Sequence, residues 1–423
     1  MDITDILSEL EEQSMKAFRS KDFQAARQIL LKRLQYQPME SWLYANLALA
    51  ELRSGYLEDA YTHYLQAIEV SPAIVNTTIY DGLVEVCYLL GKTDEQQKIA
   101  RLSLQHKAEE VKHIQGITLA QPRPQFKRNT PHRNIISFSL FGQQPRYCET
   151  AILNVEKAKQ LYPAWTCRFY VDYSVPFHVI LRLHYLGAEV IYVSDEQKKV
   201  SGLFWRFLVM EDPEVDFYLI RDADSLLSYR EQAAVEAWLD SDRYFHIMRD
   251  GYTHTELIFA GMFAGCGHVF SNLLQQINDF MINGEYLNLR VVDQHFLRHC
   301  IWPTFRQSVV IHDSQGYTEG GLNFPQSKHT PPEELRPDFH VGQNHAAEDI
   351  TIKIHYAPQQ RIAWLLIDEQ KREVCRYEQN VLSSAQMFSI SLPYEYINRL
   401  KKVNGTFYII LFNLNRIELC CIK

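Results

Sequence analysis

Phe217-Tyr218-Leu219-Ile220-Arg221-Asp222-Ala223-Asp224 is an apolar run that ends abruptly in two carboxylates, at i and i+2. Such a run reads as a buried strand, and residues two apart on a strand face the same side. Asp222 and Asp224 would therefore converge on one object beyond the strand's carboxyl end, where open α/β sheets bind their ligands. Paired hard oxygen ligands suit Mn²⁺ or Mg²⁺ carrying a diphosphate. The bland alternative is a turn whose aspartates cap the next helix.

Upstream of that run, strand patterns at 135–140, 167–172 and 188–193 alternate with helical patterns at 148–161, 179–186 and 203–210. Alternation of this kind predicts an α/β, Rossmann-like doubly wound sheet over 134–330, with the double aspartate at its fourth strand. The first 107 residues carry an internal repeat. Pro38 and Pro72 stand 34 apart, as do Ala26 and Ala60, Phe23 and Leu57, and Lys21 and Gly55. Small residues at helix contacts and a closing Pro at that period resemble the tetratricopeptide repeat, which implies a face for a partner protein or a scaffold for the next domain. Residues 108–133, with Pro122 and Pro124, read as a linker. Beyond Pro331 the pattern becomes short β-type runs at 350–356, 361–367, 387–392, 407–412 and 417–422. These predict a small β-rich domain over 350–423, either packed on its neighbour or serving as a carbohydrate-binding or dimerising module.

The 423 residues suffice for two or three domains, and 46% hydrophobic with 22% charged residues describes an ordinary globular chain. A net charge of −8 argues against nucleic acid as the main partner. The acidic, amphipathic start is no signal peptide, and no apolar run is long enough for a transmembrane segment. Eight cysteines without a CxxC pair read as reduced thiols of a cytoplasmic protein. Peripheral attachment at the inner face of a membrane and homo-oligomerisation stay open.

Before the double aspartate stands Phe204-Trp205-Arg206-Phe207-Leu208. After it come Phe259-Ala260-Gly261-Met262-Phe263-Ala264-Gly265, Val292-Asp293-Gln294-His295-Phe296-Leu297 and Ile311-His312-Asp313. In order and spacing this set resembles the GT-A fold glycosyltransferases, most nearly the group of glycogenin and the bacterial lipopolysaccharide galactosyltransferases. Two departures are visible: Arg221 takes the place of an apolar residue before the double aspartate, and the His-x-x-Gly-x-x-Lys ending is absent.

The resemblance implies a metal-dependent transfer of sugar from a nucleotide-sugar donor, UDP-linked, to a glycan of surface polysaccharide or lipopolysaccharide, or to a protein or peptide acceptor. The ion would stabilise the leaving diphosphate. Asp222 would touch ribose or metal, and Asp224 and His312 would bind the metal; an imidazole beside two carboxylates favours Mn²⁺. Arg206 offers a five-donor fork to phosphate or sugar oxygens, or else a salt bridge to Asp222 or Asp224. Asp293 would hold donor-sugar hydroxyls or the acceptor, with Gln294 near the reacting carbon. Gly261 and Gly265 would admit a sugar against the backbone, or serve helix–sheet packing. Phe141 or Tyr147 would stack on the nucleotide base, with Asp172 accepting from base or ribose. In an inverting enzyme Asp250, ahead of His254 and Glu256, would be the base that deprotonates the acceptor. Two other readings compete: a helical-repeat adaptor with an inactive GT-A-like domain, and a nucleotidyltransferase. The second ranks last, because no Gly-rich phosphate loop with a following Lys lies near 135–147.

Overall fold

The computed structural model of the chain describes residues 2–72, 75–283, 291–327, 329–345, 350–353, 360–367, 372–381, 387–396, 407–413 and 416–422. Two compact units emerge. One comprises Met1–Gln115, Arg249–Leu257 and Ile311–Asn323; the other comprises Gly116–Met248, Ile258–Val310 and Phe324–Lys423.

The first unit is built on six helices: α1 (Ile3–Arg19), α2 (Phe23–Leu34), α3 (Ser41–Ser54), α4 (Leu57–Glu69), α5 (Thr77–Leu89) and α6 (Thr93–Glu110). The 34-residue spacing sets equivalent helix starts at Phe23 and Leu57, and it puts Ala26 and Ala60, both fully buried, at helix–helix contacts. Gly55, at φ 85°, ends α3 in the left-handed conformation that glycine adopts without strain. Gly82 is required by packing: a Cβ there would lie 2.3 Å from the Tyr64 hydroxyl oxygen.

Two short segments complete this unit and are held by the third helix pair. Lys107 on α6, fully buried, donates to both Asp81 oxygens at 2.9 and 2.8 Å and to the Thr255 carbonyl at 2.9 Å; Glu256 lies 3.1 Å away. The Gln96 amide donates to the Tyr317 hydroxyl at 2.5 Å, and Tyr88 stacks on Tyr252 at 3.8 Å. Arg249 ties the two segments together through the His254 and Glu256 carbonyls and the Thr318 hydroxyl.

A seven-stranded sheet is formed by β1 (Asn134–Leu140), β2 (Thr166–Val171), β3 (Glu189–Tyr192), β4 (Phe217–Arg221), β5 (Phe245–Arg249), β6 (Met262–Cys266) and β7 (Val309–Asp313). Its order is β3-β2-β1-β4-β6-β5-β7. The strands β3, β2, β1 and β4 are parallel, whereas β6 is antiparallel to both β4 and β5. The sheet is thus mixed, with β6 running against both of its neighbours. Helices α7 (Pro145–Leu161), α8 (Phe177–Tyr185), α9 (Tyr229–Leu239) and α10 (Leu273–Asn283) accompany it.

Three expectations change here. The helical pattern at 203–210 is a 3₁₀ helix, Gly202–Glu211. Its main chain is claimed by β1, since the Arg206 N–H donates to the Ser139 hydroxyl at 2.8 Å and the Ser137 hydroxyl donates to the Arg206 carbonyl at 2.7 Å. Those two bonds draw the Arg206 main chain toward β1 in the middle of the 3₁₀ stretch. The small-residue segment after Phe259 contains strand β6, where Gly265 pairs with Tyr218 and a Cβ would lie 2.3 Å from the Tyr218 hydroxyl oxygen. Gly265 therefore serves packing rather than sugar approach. The 108–133 stretch is not a free linker: α6 extends through Glu110, and residues from Gly116 on belong to the second unit. Arg133 forks onto Asp216 at 2.8 and 2.7 Å, and the Arg123 guanidinium donates to the Ser241 carbonyl at 2.6 Å.

Toward the C-terminus, β8 (Ile350–Lys353) pairs with β11 (Met387–Ile390). An antiparallel sheet of order β10-β9-β12-β13 unites β9 (Gln360–Ile367), β10 (Glu373–Val381), β12 (Phe407–Asn413) and β13 (Arg416–Ile422). The end of the 350–356 run lies outside the described residues. Glu149 of α7, fully buried, accepts from the Tyr377 and Tyr396 hydroxyls at 2.5 and 2.8 Å and from Arg182 at 2.8 Å, which fixes α7 to β10. No described helix is long and apolar enough to cross a membrane.

Candidate functional site

The chain leaves β4 in a turn, with the Ser225 N–H donating to the Asp222 carbonyl at 3.3 Å. Ala223 is buried, whereas Asp222 and Asp224 on either side of it keep partial exposure. Their closeness is electrostatic as well. Burial raises the pKa of Asp224, and the negative charge of Asp222 raises it further, against Arg146 and Arg206.

Arg206 organises the site. Buried on the 3₁₀ helix, it donates from Nε to the Ala260 carbonyl at 3.1 Å, from Nη1 to Asp222 Oδ1 at 3.0 Å and from Nη2 to Asp293 Oδ2 at 2.8 Å. The salt-bridge reading of Arg206 therefore holds for Asp222, and Asp293 joins as a partner the spacing alone did not suggest. Asp293 lies in the first turn of the short helix α11 (Val292–Phe296) and accepts from the neighbouring Gln294 N–H at 3.0 Å. Burial pushes its carboxyl up to about 6 despite Arg206. Gly261 follows Ala260, and a Cβ there would stand 1.9 Å from Asp222 Oδ2. That glycine makes room for the aspartate itself.

The loops after β1 and β2 are tied by the Gly142 N–H, which donates to the Ser174 hydroxyl at 2.6 Å. Phe141, 42% exposed, sits edge-on to Trp205 at 5.6 Å. Asp172 accepts from its own loop, the Ser174 N–H at 3.0 Å. Tyr147 lies beneath the Arg146 guanidinium, 4.5 Å from the ring centroid.

The remaining expected residues belong to the first unit. Asp250 is 4% exposed, and its N–H donates to His254 Nδ1 at 3.0 Å, as the Gly251 N–H does at 2.9 Å. His254 thus folds the loop, with Nδ1 as acceptor. Glu256 faces Lys107 at 3.1 Å. His312, on β7, is 1% exposed, and burial pushes its imidazole down to about 4.

Two residues escaped the sequence. Arg146, at the start of α7, holds positive charge close enough to lower the Asp224 pKa, and its Nε is buried without a hydrogen-bond partner. Its signal was a basic residue in the first turn of a helix, where the dipole favours acids. His345 donates its main-chain N–H to the Asp224 carbonyl at 2.7 Å and buries an Nε2 that has no partner. Nothing local marked it, because the adjacency arises from a bridge between Ser225 and Asn344. Among the described residues no three His, Cys, Asp or Glu side chains gather into a metal-sized group. An ion here would rest on the carboxylate pair and on oxygens the ligand brings.

No protein-family model matches this chain, and no curated protein matches its sequence. Solved structures match parts of it. The TPR2B domain of yeast Sti1 in its pHsp70 complex is 16% identical over 25% of this chain and 82% of that one, with a TM-score of 0.23. The TPR domain of Arabidopsis OM64 is 16% identical over 25% and 85%, with a TM-score of 0.23. An O-GlcNAc transferase mutant of Thermobaculum terrenum is 15% identical over 46% and 43%, with a TM-score of 0.25. Likeness at these scores assigns the fold of neither unit.

Proposed function

We propose that the second unit is a metal-dependent glycosyltransferase of the GT-A type that takes a nucleotide sugar, UDP-linked, as donor. The observation that supports it most is the shared guanidinium: the buried Arg206 holds the half-exposed Asp222 beyond β4 and the buried Asp293 on α11 in one cluster, beside an Asp224 whose charge is strained by its neighbour. Two carboxylates that repel each other suit a divalent cation, which relieves the repulsion. Asp222 and Asp224 would hold Mn²⁺ or Mg²⁺; His312 remains a ligand by sequence assignment alone. When bound, the ion supplies charge neutralisation to the departing diphosphate.

The chain's own groups do the rest. Arg206, free to exchange a carboxylate for a phosphate oxygen, and Arg146 would grip the diphosphate. Asp293, released from part of its ion pair, would accept from donor-sugar hydroxyls, with Gln294 alongside. Phe141 or Tyr147 would face the base, and Asp172 the ribose. Asp250 is the proposed base if transfer inverts configuration. The acceptor is a glycan, or a protein or peptide. The first unit, whose third helix pair grips two segments of its own chain, would act as scaffold and leave α1–α4 for a partner.

Calorimetric titration of the full chain with UDP and MnCl₂ tests this. The expected result is metal-dependent binding, weakened at least tenfold in Asp224→Ala, together with hydrolysis of one member of a nucleotide-sugar panel. Absence of UDP binding with either metal would remove the reading.

A further inference from the structure

A cleft of about 550 Å³ lies within the second unit and shares no lining residue with the Arg206 cluster. It is framed by the loop after β2, the start of α8, the end of β3 and strands β9 and β10. Three aromatic rings form its walls and face solvent: Tyr173 at 81%, Phe177 at 70% and Tyr192 at 41% exposure. Tyr173 and Tyr192 are stacked 5.0 Å apart. Its floor is Trp364 and Tyr377, cross-strand partners on β9 and β10 that are almost fully buried. The Tyr377 hydroxyl is fixed on Glu149, so the floor is rigid.

Aromatic rings held open to water at a concave site are a ligand's contact surface rather than a folding necessity. The polar groups between them narrow the choice. Gln143 and Ser174 contribute amide and hydroxyl, and Arg376 and Glu378 contribute one charge of each sign. His178 Nε2 is buried without a hydrogen-bond partner, and burial holds that imidazole below its usual range. The lining carries no net charge, and Arg376 is already engaged by Glu373. Lys198 lies over the outer wall, its ammonium 5.1 Å from the Tyr173 ring centroid, and no unengaged cation stands among the described lining residues to hold a diphosphate. A sugar ring brings C–H faces that pack on aromatic faces, and hydroxyls that an amide, a carboxylate and an unpaired imidazole can bind.

We propose that this cleft binds a neutral oligosaccharide, so that the C-terminal sheet serves the second unit by holding its acceptor glycan. Glycan as ligand class rests on the glycosyltransferase reading, yet the binding itself needs neither donor nor metal.

The full chain is titrated, without metal or nucleotide, with neutral hexasaccharides of glucose, galactose, mannose and N-acetylglucosamine. Tryptophan fluorescence and calorimetry report binding. At least one hexasaccharide binds saturably; Tyr173→Ala and Phe177→Ala each weaken it at least tenfold, Tyr173→Trp retains it and Asp224→Ala leaves it unchanged. Both alanine sites are solvent-facing, so these variants keep the fold. Binding of no hexasaccharide, or binding indifferent to both variants, overturns the proposal. So does displacement of the saccharide by metal-free UDP, which would make the cleft a base pocket. A dimer that Tyr173→Ala dissociates, with no saccharide bound, would make it a contact between copies and overturns it equally. Loss of metal-dependent UDP binding alone overturns the enzyme reading and leaves the cleft standing.

Discussion

Arg206 Nη1 stands 3.0 Å from Asp222 Oδ1, and the other Nη of the same guanidinium stands 2.8 Å from Asp293 Oδ2. A turn beyond β4 and the helix α11 are thereby fixed by one planar fork. Lysine cannot reproduce it, because an ammonium lacks the two parallel donors. Arg206→Lys is expected to weaken UDP binding in the presence of Mn²⁺ by at least tenfold. It should also lower stability by about 2–4 kcal/mol, since a buried carboxylate loses its partner. Calorimetry and urea unfolding read the two effects separately; an unchanged urea midpoint would show that the fork is not structural.

Gly261 supports the same aspartate by being absent as a side chain. Alanine would place its Cβ 1.9 Å from Asp222 Oδ2, too close for the carboxylate to stay where it is. A 42% exposed side chain can swing away, so the cost in stability is small, about 1 kcal/mol. The cost in function is not. Gly261→Ala should reduce metal-dependent UDP binding at least tenfold while the urea midpoint moves little. Equal losses in Gly261→Ala and in Gly265→Ala, whose clash is with Tyr218, would mean that general packing and not Asp222 is at stake.

Lys107 is the keystone of the first unit, fully buried between Asp81, Glu256 and the Thr255 carbonyl. Lys107→Met fills the space but strands two carboxylates. Removing one side of a buried pair costs about 3–5 kcal/mol, and the 30% exposure of Asp81 brings the expectation down to about 2–3 kcal/mol. Proteolysis should then favour cleavage within Arg249–Leu257, the segment Lys107 retains. Protection of that segment in the variant would show that Tyr88 on Tyr252 is sufficient to hold it.

Much of this was legible because it is local. The strand ending in Asp222 and Asp224, the alternation through 135–193 and the 34-residue period each express a backbone periodicity that side chains repeat in order. Strand β10 was legible too and went unread: Cys375 and Tyr377 point inward, while Arg376 and Glu378 face out. The rest is tertiary. Arg221 looked out of place as a charge before the double aspartate, yet it is 3% exposed and paired with Glu231 of α9 at 2.5 Å. No pattern announces such a pair, since its members satisfy each other only once β4 and α9 have met. The same holds for Ser137 and Ser139, which bond the Arg206 main chain within the 3₁₀ stretch, and for His345 beside Asp224. The site's inner residues followed from motif; its supports followed from the fold.

Asp293 makes the protein's stability depend on pH in a way that can be isolated. Burial raises its carboxyl from the ordinary 3.8 to about 6, so between those values the folded chain binds the proton that the unfolded chain has released. More protons on the folded state mean that stability falls as pH rises. The contribution is fully present below about pH 4 and is lost by about pH 6. Two pKa units correspond to at most about 3 kcal/mol. Asparagine at this position cannot ionise, so wild type minus Asp293→Asn, measured by urea unfolding at pH 4 and pH 6, cancels the titrating groups remote from the Arg206 cluster. The wild type should lose more stability than the variant across that interval. The opposite sign would mean that Arg206 holds Asp293 charged throughout, with its carboxyl below the usual range, and that the buried cluster is an ion pair at every pH where the chain is folded.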